Sequence, residues 1–163
     1  MPVFARPAGT EGLYGASWGT SWRLERCAEP HRFPPQSIGC LSTELRGLFR
    51  LPDHRSGLAQ IAAWNPGAWL LLTRGDAGAT LYHGVEECSA RPPRVDVVDT
   101  MGAGDAALAG LLDSLMRNAA APVEQHLRWS LAAGAAACTA TGFVPPLPKQ
   151  VAALAGDVEV VAL

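Results

Sequence analysis

The run at residues 69–73, WLLLT, is the strongest single constraint on the fold. A sheet strand with one wet face alternates apolar and polar residues, whereas a continuous apolar run marks a strand covered on both faces. Such a strand needs layers above and below it, and the rest of the sequence offers helices to supply them. Residues 105–117 place Leu108, Leu111, Leu112, Leu115 and Met116 on one helical side. Residues 122–141 read as a second helix, halted by Gly142 and the Pro145-Pro146 pair, and residues 148–155 as a third. ATLYH (79–83) follows Gly75 and Gly78 as a neighbouring antiparallel strand. VDVV (95–98) reads as a third strand, and residues 158–162 as a terminal one. Upstream, a short helix is expected after a cap at Ser42 or Thr43. Residues 53–64 carry Leu58, Ile61 and Ala62 on one face, ahead of the Asn65-Pro66-Gly67 turn. Apolar strands alternating with helices predict an α/β layered domain, whose active groups sit at strand C-terminal ends. Thr73 and Asp99 are both expected at such ends.

Bulk properties narrow the function classes. The chain has 163 residues, 48% hydrophobic and 17% charged, as one globular domain would have. Its net charge of −2 gives no general pull toward nucleic acid or an anionic membrane. Lys149 is the sole lysine, which excludes a Walker P-loop. Cys27, Cys40, Cys88 and Cys138 fit no Cys-x-x-Cys zinc or redox spacing and read as free thiols of a reducing compartment. The start MPVFARPAGTEGLYG does not resemble a signal peptide, and LAAGAAACTATGFV is too short to span a bilayer, so a soluble cytoplasmic protein is expected. Residues 1–39 hold five prolines and five glycines with no sustained period and read as an irregular leader; residues 40–163 carry the regular pattern.

Residues 97–112, VVDTMGAGDAALAGLL, hold the chemistry. A helix N-terminus presents unpaired N–H groups and the positive end of a dipole, so it attracts phosphate. Gly102 and Gly104 strip away side chains, and with Ala103 between them the backbone amides can form an anion nest. Asp105 in the first helical turn has two jobs open to it. It can cap the helix N-terminus, or it can take a proton from an attacking hydroxyl beside the phosphate site. Asp99 can help hold a cation or hydrogen-bond the turn. Gly102-x-Gly104-x-x-Ala107 also satisfies a loose dinucleotide fingerprint with Glu124 downstream. The chain enters another helix at Pro122 instead of a second strand, which argues against that reading.

The stretch Asp99-Thr100-Met101-Gly102-Ala103-Gly104-Asp105 resembles the C-terminal signature of the ribokinase, or PfkB, family of carbohydrate kinases. TRGDAG (73–78) is similar to the family's Thr-x-Gly-x-x-Gly turn, and SLAAGAAACTATG (130–142) to its alanine-rich helix near the adenine. The resemblance covers about residues 41–155. It implies a ribokinase-like layered sheet with flanking helices, and ATP-dependent phosphoryl transfer to a sugar hydroxyl, fructokinase-like in flavour. It further implies Asp105 as catalytic base, an anion hole at Gly102, Ala103 and Gly104, and nucleotide contacts from Thr73, Gly75, Gly78 and Gly104. ATP with Mg²⁺ is the implied cofactor. Glu44, placed like the acid of the family's Asn-x-x-Glu motif, and Asp99 are the implied metal residues, with a monovalent cation such as K⁺ near Asp99. Leu41 stands where that motif has its asparagine, and Leu131 where an asparagine often lies near the nucleotide. The family's sugar-binding N-terminal half is not visible in residues 1–39, so the chain reads as a truncated C-terminal half. Nucleotide and a small sugar are the expected ligands, with self-association through an exposed sheet edge. A non-catalytic nucleotide- or partner-binding remnant is the alternative.

Overall fold

A computed structural model describes residues 65–161, together with Ala63 and the backbones of two short strands, Gly15–Ser17 and Ile38–Ser42. These two strands, β1 and β2, pair in parallel, and β2 pairs in parallel with β3 (Trp69–Thr73). Then the direction alternates: β4 (Ala79–His83), β5 (Glu86–Arg91) and β6 (Glu159–Val161) are each antiparallel to the preceding strand in the order β1-β2-β3-β4-β5-β6. Three helices complete the described chain: α1 (Ala103–Arg117), α2 (Val123–Ala137) and α3 (Pro148–Ala155).

The apolar run does what its composition requires. Leu71 of β3 lies opposite Leu81 of β4, and both are fully buried against the helical layer. Leu70 and Leu72, on the other face, are buried as well. Leu108, Leu111 and Leu115 of α1 and Leu127 and Leu131 of α2 fill the space beneath β3 and β4. The alanine-rich α2 lets α1 approach closely. A Cβ built on Gly110 of α1 would stand 2.6 Å from the Ala133 Cβ, so small residues at this crossing are a packing requirement.

Several elements differ from the sequence expectations. Residues 95–98 form no strand; the Val98 and Asp99 N–H groups donate to the Cys138 carbonyl at 2.8 and 3.3 Å, at the end of α2, so Asp99 sits in a loop. That same carbonyl is released because α2 stops at Ala137, four residues before the expected end. Met116 is exposed, and Leu112 is only partly buried. The Gly15–Ser17 and β5 strands carry no alternating apolar signal: β5, EECSAR, has two exposed acids and buries Ser89 and Ala90 instead. The helices expected after Ser42 and over residues 53–64 lie outside the described residues, apart from Ala63, which is helical.

Candidate active site

The candidate site is built where the loop after β5 enters α1. Gly102 is the N-cap and has φ 78°, in the left-handed region that a side chain disfavours. Phe143 reinforces the requirement, since a Cβ on Gly102 would lie 2.8 Å from its ring. No side chain caps the helix, so Asp105, inside the first turn, is not the cap that the sequence allowed, and Ala103 N–H turns back to the Thr100 carbonyl at 3.2 Å. Gly104 contrasts with Gly102. It is exposed, its φ is not positive, and a Cβ built there meets nothing within 4 Å. Neither backbone conformation nor packing demands a glycine at 104.

Asp99 ties the loop together. Its Oδ1 accepts the Met101 N–H at 3.0 Å and its Oδ2 the Gly142 N–H at 2.9 Å. These two bonds, the Met101 one first, hold its carboxyl below the ordinary range because they favour the charged form. Asp99 thus joins the entrance of α1 to the turn after α2, across 43 residues of sequence. Gly142 contributes a backbone amide there, a role with no side-chain signature, so sequence reasoning missed it. Phe143 was missed too: an exposed aromatic beside a turn glycine reads as surface until its contact with Gly102 is seen.

Asp105 is exposed in the first turn of α1 and, with Met101 and Gly102, borders a cleft of 370 Å³ between α1 and α2. Trp129 and Ala133 line its α2 wall, and Phe143 and Pro145 its outer rim. The walls are largely apolar. Farther along, Asp113 accepts from Trp129 Nε1 at 3.0 Å and from Arg117 Nε at 2.8 Å, which fixes the indole.

Thr73, Gly75 and Gly78 belong to the sheet, at the β3–β4 connection. Arg74 N–H donates to the Gly78 carbonyl at 2.8 Å, and Gly75–Ala77 make one tight helical turn. Gly78 has φ 97°, and a Cβ there would fall 2.0 Å from the Ala90 carbonyl oxygen, so no other residue fits. Thr73 ends β3, as expected of a group at a strand C-terminal end. The site residues therefore come from two layers, the turn from the sheet and the glycine loop from the helices. Glu44 lies outside the described residues. Among the described residues no three His, Cys, Asp or Glu side chains cluster as a metal site.

Residues 42–150 match the pfkB family of carbohydrate kinases. The fructokinase of Klebsiella pneumoniae is 34% identical over 139 residues, 82% of this chain and 45% of that protein. The fructokinase of Salmonella typhimurium is 40% identical over 104 residues, 60% of this chain and 33% of that protein. Among solved structures, aminoimidazole riboside kinase from Salmonella enterica, complexed with aminoimidazole riboside and an ATP analog, superposes with a TM-score of 0.61. It is 31% identical and covers 72% of this chain, which in turn covers 41% of it. The chain spans less than half the length of each of these proteins. No helix among the described residues is long and apolar enough to cross a membrane. With residues 42–150 matching the family and a ribokinase-like fold, the chain belongs to the pfkB family of carbohydrate kinases.

Proposed function

We propose that this chain carries the nucleotide-binding and phosphoryl-transfer site of an ATP-dependent sugar kinase, with a fructose-like acceptor. Gly104 supports the reading most strongly. A glycine within a helix costs roughly 0.5–1 kcal/mol relative to alanine, and here nothing in the fold asks for one. A ligand that must approach the backbone does. The N-terminus of α1, uncapped by any side chain, favours an anion, and a transferring phosphoryl group is such an anion.

In this reading the amides at Gly102, Ala103 and Gly104 stabilise charge on the transferring phosphoryl group, the Ala103 N–H sharing its hydrogen with the Thr100 carbonyl that it meets at 3.2 Å. Thr73, Gly75 and Gly78 run along the nucleotide phosphates. Asp105, exposed beside them, takes the proton from the attacking sugar hydroxyl. The Asp99 ties keep the loop in register, so that the amides need not reorganise during transfer. Magnesium, when bound with the nucleotide, neutralises phosphate charge and needs only one or two carboxylates from a protein, which suits Asp99 and Glu44. K⁺ near Asp99 belongs to the same proposal, as does a soluble cytoplasmic setting.

Isothermal titration with Mg-ATP tests it: saturable binding is expected, with loss of binding when Gly104 is replaced by Val. Binding unaffected by that change removes the anion-hole assignment. Binding without sugar-dependent ADP release would favour a nucleotide-binding module without turnover.

A further inference from the structure

His126 takes no part in the chemistry above, yet it is the only histidine among the described residues that is fully buried. It lies in the first half of α2, buried between that helix, α1 and the sheet. From α1, Ser114 Oγ meets its Nδ1 at 2.8 Å. From β3, the Trp69 ring meets it edge-on, with centroids 5.1 Å apart and planes at 81°. From β4, His83 stacks flat on that same indole at 3.8 Å. Across from His83 in β5 stands Glu86, exposed, and farther along that strand is the half-buried Cys88. The charged residues of α2 nearest in sequence, Glu124 and Arg128, pair with each other at 2.9 Å. Nε2 of His126 has no hydrogen-bond partner, while the Ala121 carbonyl lies near enough to the ring to favour its charged form.

This arrangement tolerates one protonation state. A neutral ring satisfies the Ser114 contact in either tautomer, donating from Nδ1 or accepting the hydroxyl proton there. An imidazolium adds a second N–H and a full charge; the Ala121 carbonyl favours that form, but burial outweighs its pull. It would also face His83, the other titratable ring on the indole. An uncompensated charge at a site excluded from water is costly. Burial accordingly pushes the His126 pKa down, with His83 adding to the effect and Ala121 opposing it.

We propose that His126 is an acid-sensitive latch that seats α2 on α1 and the sheet, and that its protonation releases the loop held by the end of α2. The link to the loop runs along α2, from its fourth residue to its C-terminal end. The Cys138 carbonyl, just past α2, accepts the Val98 and Asp99 amides, and Asp99 in turn holds Met101 and Gly142. A lifted α2 withdraws that carbonyl. The latch concerns conformation alone and stands whether or not the loop binds nucleotide.

The sign follows from linkage. The unfolded chain titrates this group near 6.5 and the folded one lower, so the unfolded state binds more protons between the two values. Above about pH 6.5 the latch costs nothing; below it stability falls, by up to about tenfold in the folding constant per pH unit, until the folded pKa is passed. Urea unfolding of the full chain between pH 8 and 5 should show this loss. In His126→Gln or His126→Leu the contribution should vanish, judged within each variant's own pH series. His83→Gln should retain it. Amide exchange at Val98 and Asp99, corrected for intrinsic rate, should accelerate with acid in the wild type and not in the His126 variants. Histidine NMR titration of the wild type decides even if neither variant folds. A His126 pKa at or above 6.5 overturns the latch, as does a wild-type pH slope surviving in a folded His126 variant or disappearing in His83→Gln.

Discussion

Replacing Gly104 by Ala should make the protein more stable and a worse nucleotide binder. The added methyl meets no atom within 4 Å, and the backbone there does not have the positive φ that would strain it. The stability gain is therefore at most the helix-interior glycine-to-alanine difference, about 0.5–1 kcal/mol, since Gly104 is the second residue of α1. For a chain of this size that raises Tm by roughly 1–4 °C. The same methyl projects from the second residue of α1, where a phosphate would rest on the first-turn amides, and should weaken Mg-ATP binding. Gly102→Ala provides the opposite case. Its φ of 78° costs about 1–2 kcal/mol for an L-residue, and its Cβ would press on the Phe143 ring at 2.8 Å. Differential scanning calorimetry and titration on both variants separate fold from function. A Gly104→Ala protein that melts lower refutes the packing argument. One that melts higher and binds Mg-ATP as the wild type does refutes the claim that a ligand is why glycine stands there.

Three further outcomes are expected. Gly110→Val should overpack the α1–α2 crossing, where Ala133 Cβ would lie 2.6 Å from the new Cβ, and should cost about 1–3 kcal/mol by urea unfolding. Acid should loosen the Asp99 ties: its lowered folded pKa means that this stabilisation is present above the unfolded value, about 3.9, and is lost as pH falls through the folded one. Exchange protection of the Gly142 amide down to pH 2 reports the loss, and Asp99→Ala should show it already at neutral pH. Edge-to-edge pairing through β1 or β6, the outer strands of the described sheet, should appear as a mass increase with concentration in light scattering; a constant monomer mass removes it.

What the sequence disclosed follows the physics of each signal. WLLLT and ATLYH are strands with the expected bounds because a doubly covered strand and its hairpin partner leave an unambiguous hydrophobic record. The start of α1 was legible because glycines and an acid at a helix entrance have few other uses. VDVV misled: its β-branched residues have strand propensity, but the Cys138 carbonyl captures the Val98 amide and leaves Val97 and Val98 exposed. The β5 strand was hidden for the converse reason, its pairing with β4 and β6 outweighing a polar composition. In the site, the glycines and acids were visible as letters. The Asp99–Gly142 tie runs through a backbone amide, and the Phe143 ring over Gly102 depends on how a turn folds back after α2; neither has a local sequence pattern.

ADP release in a coupled assay with a panel of sugars, comparing wild type with Asp105→Asn, tests the central claim most directly. General-base catalysis typically contributes about 10²–10⁴-fold. Sugar-dependent turnover should therefore fall by that order in Asp105→Asn, while its affinity for Mg-ATP stays unchanged. An Asn variant that releases ADP at the wild-type rate would contradict the assignment and leave Asp105 as a residue that only complements the start of α1.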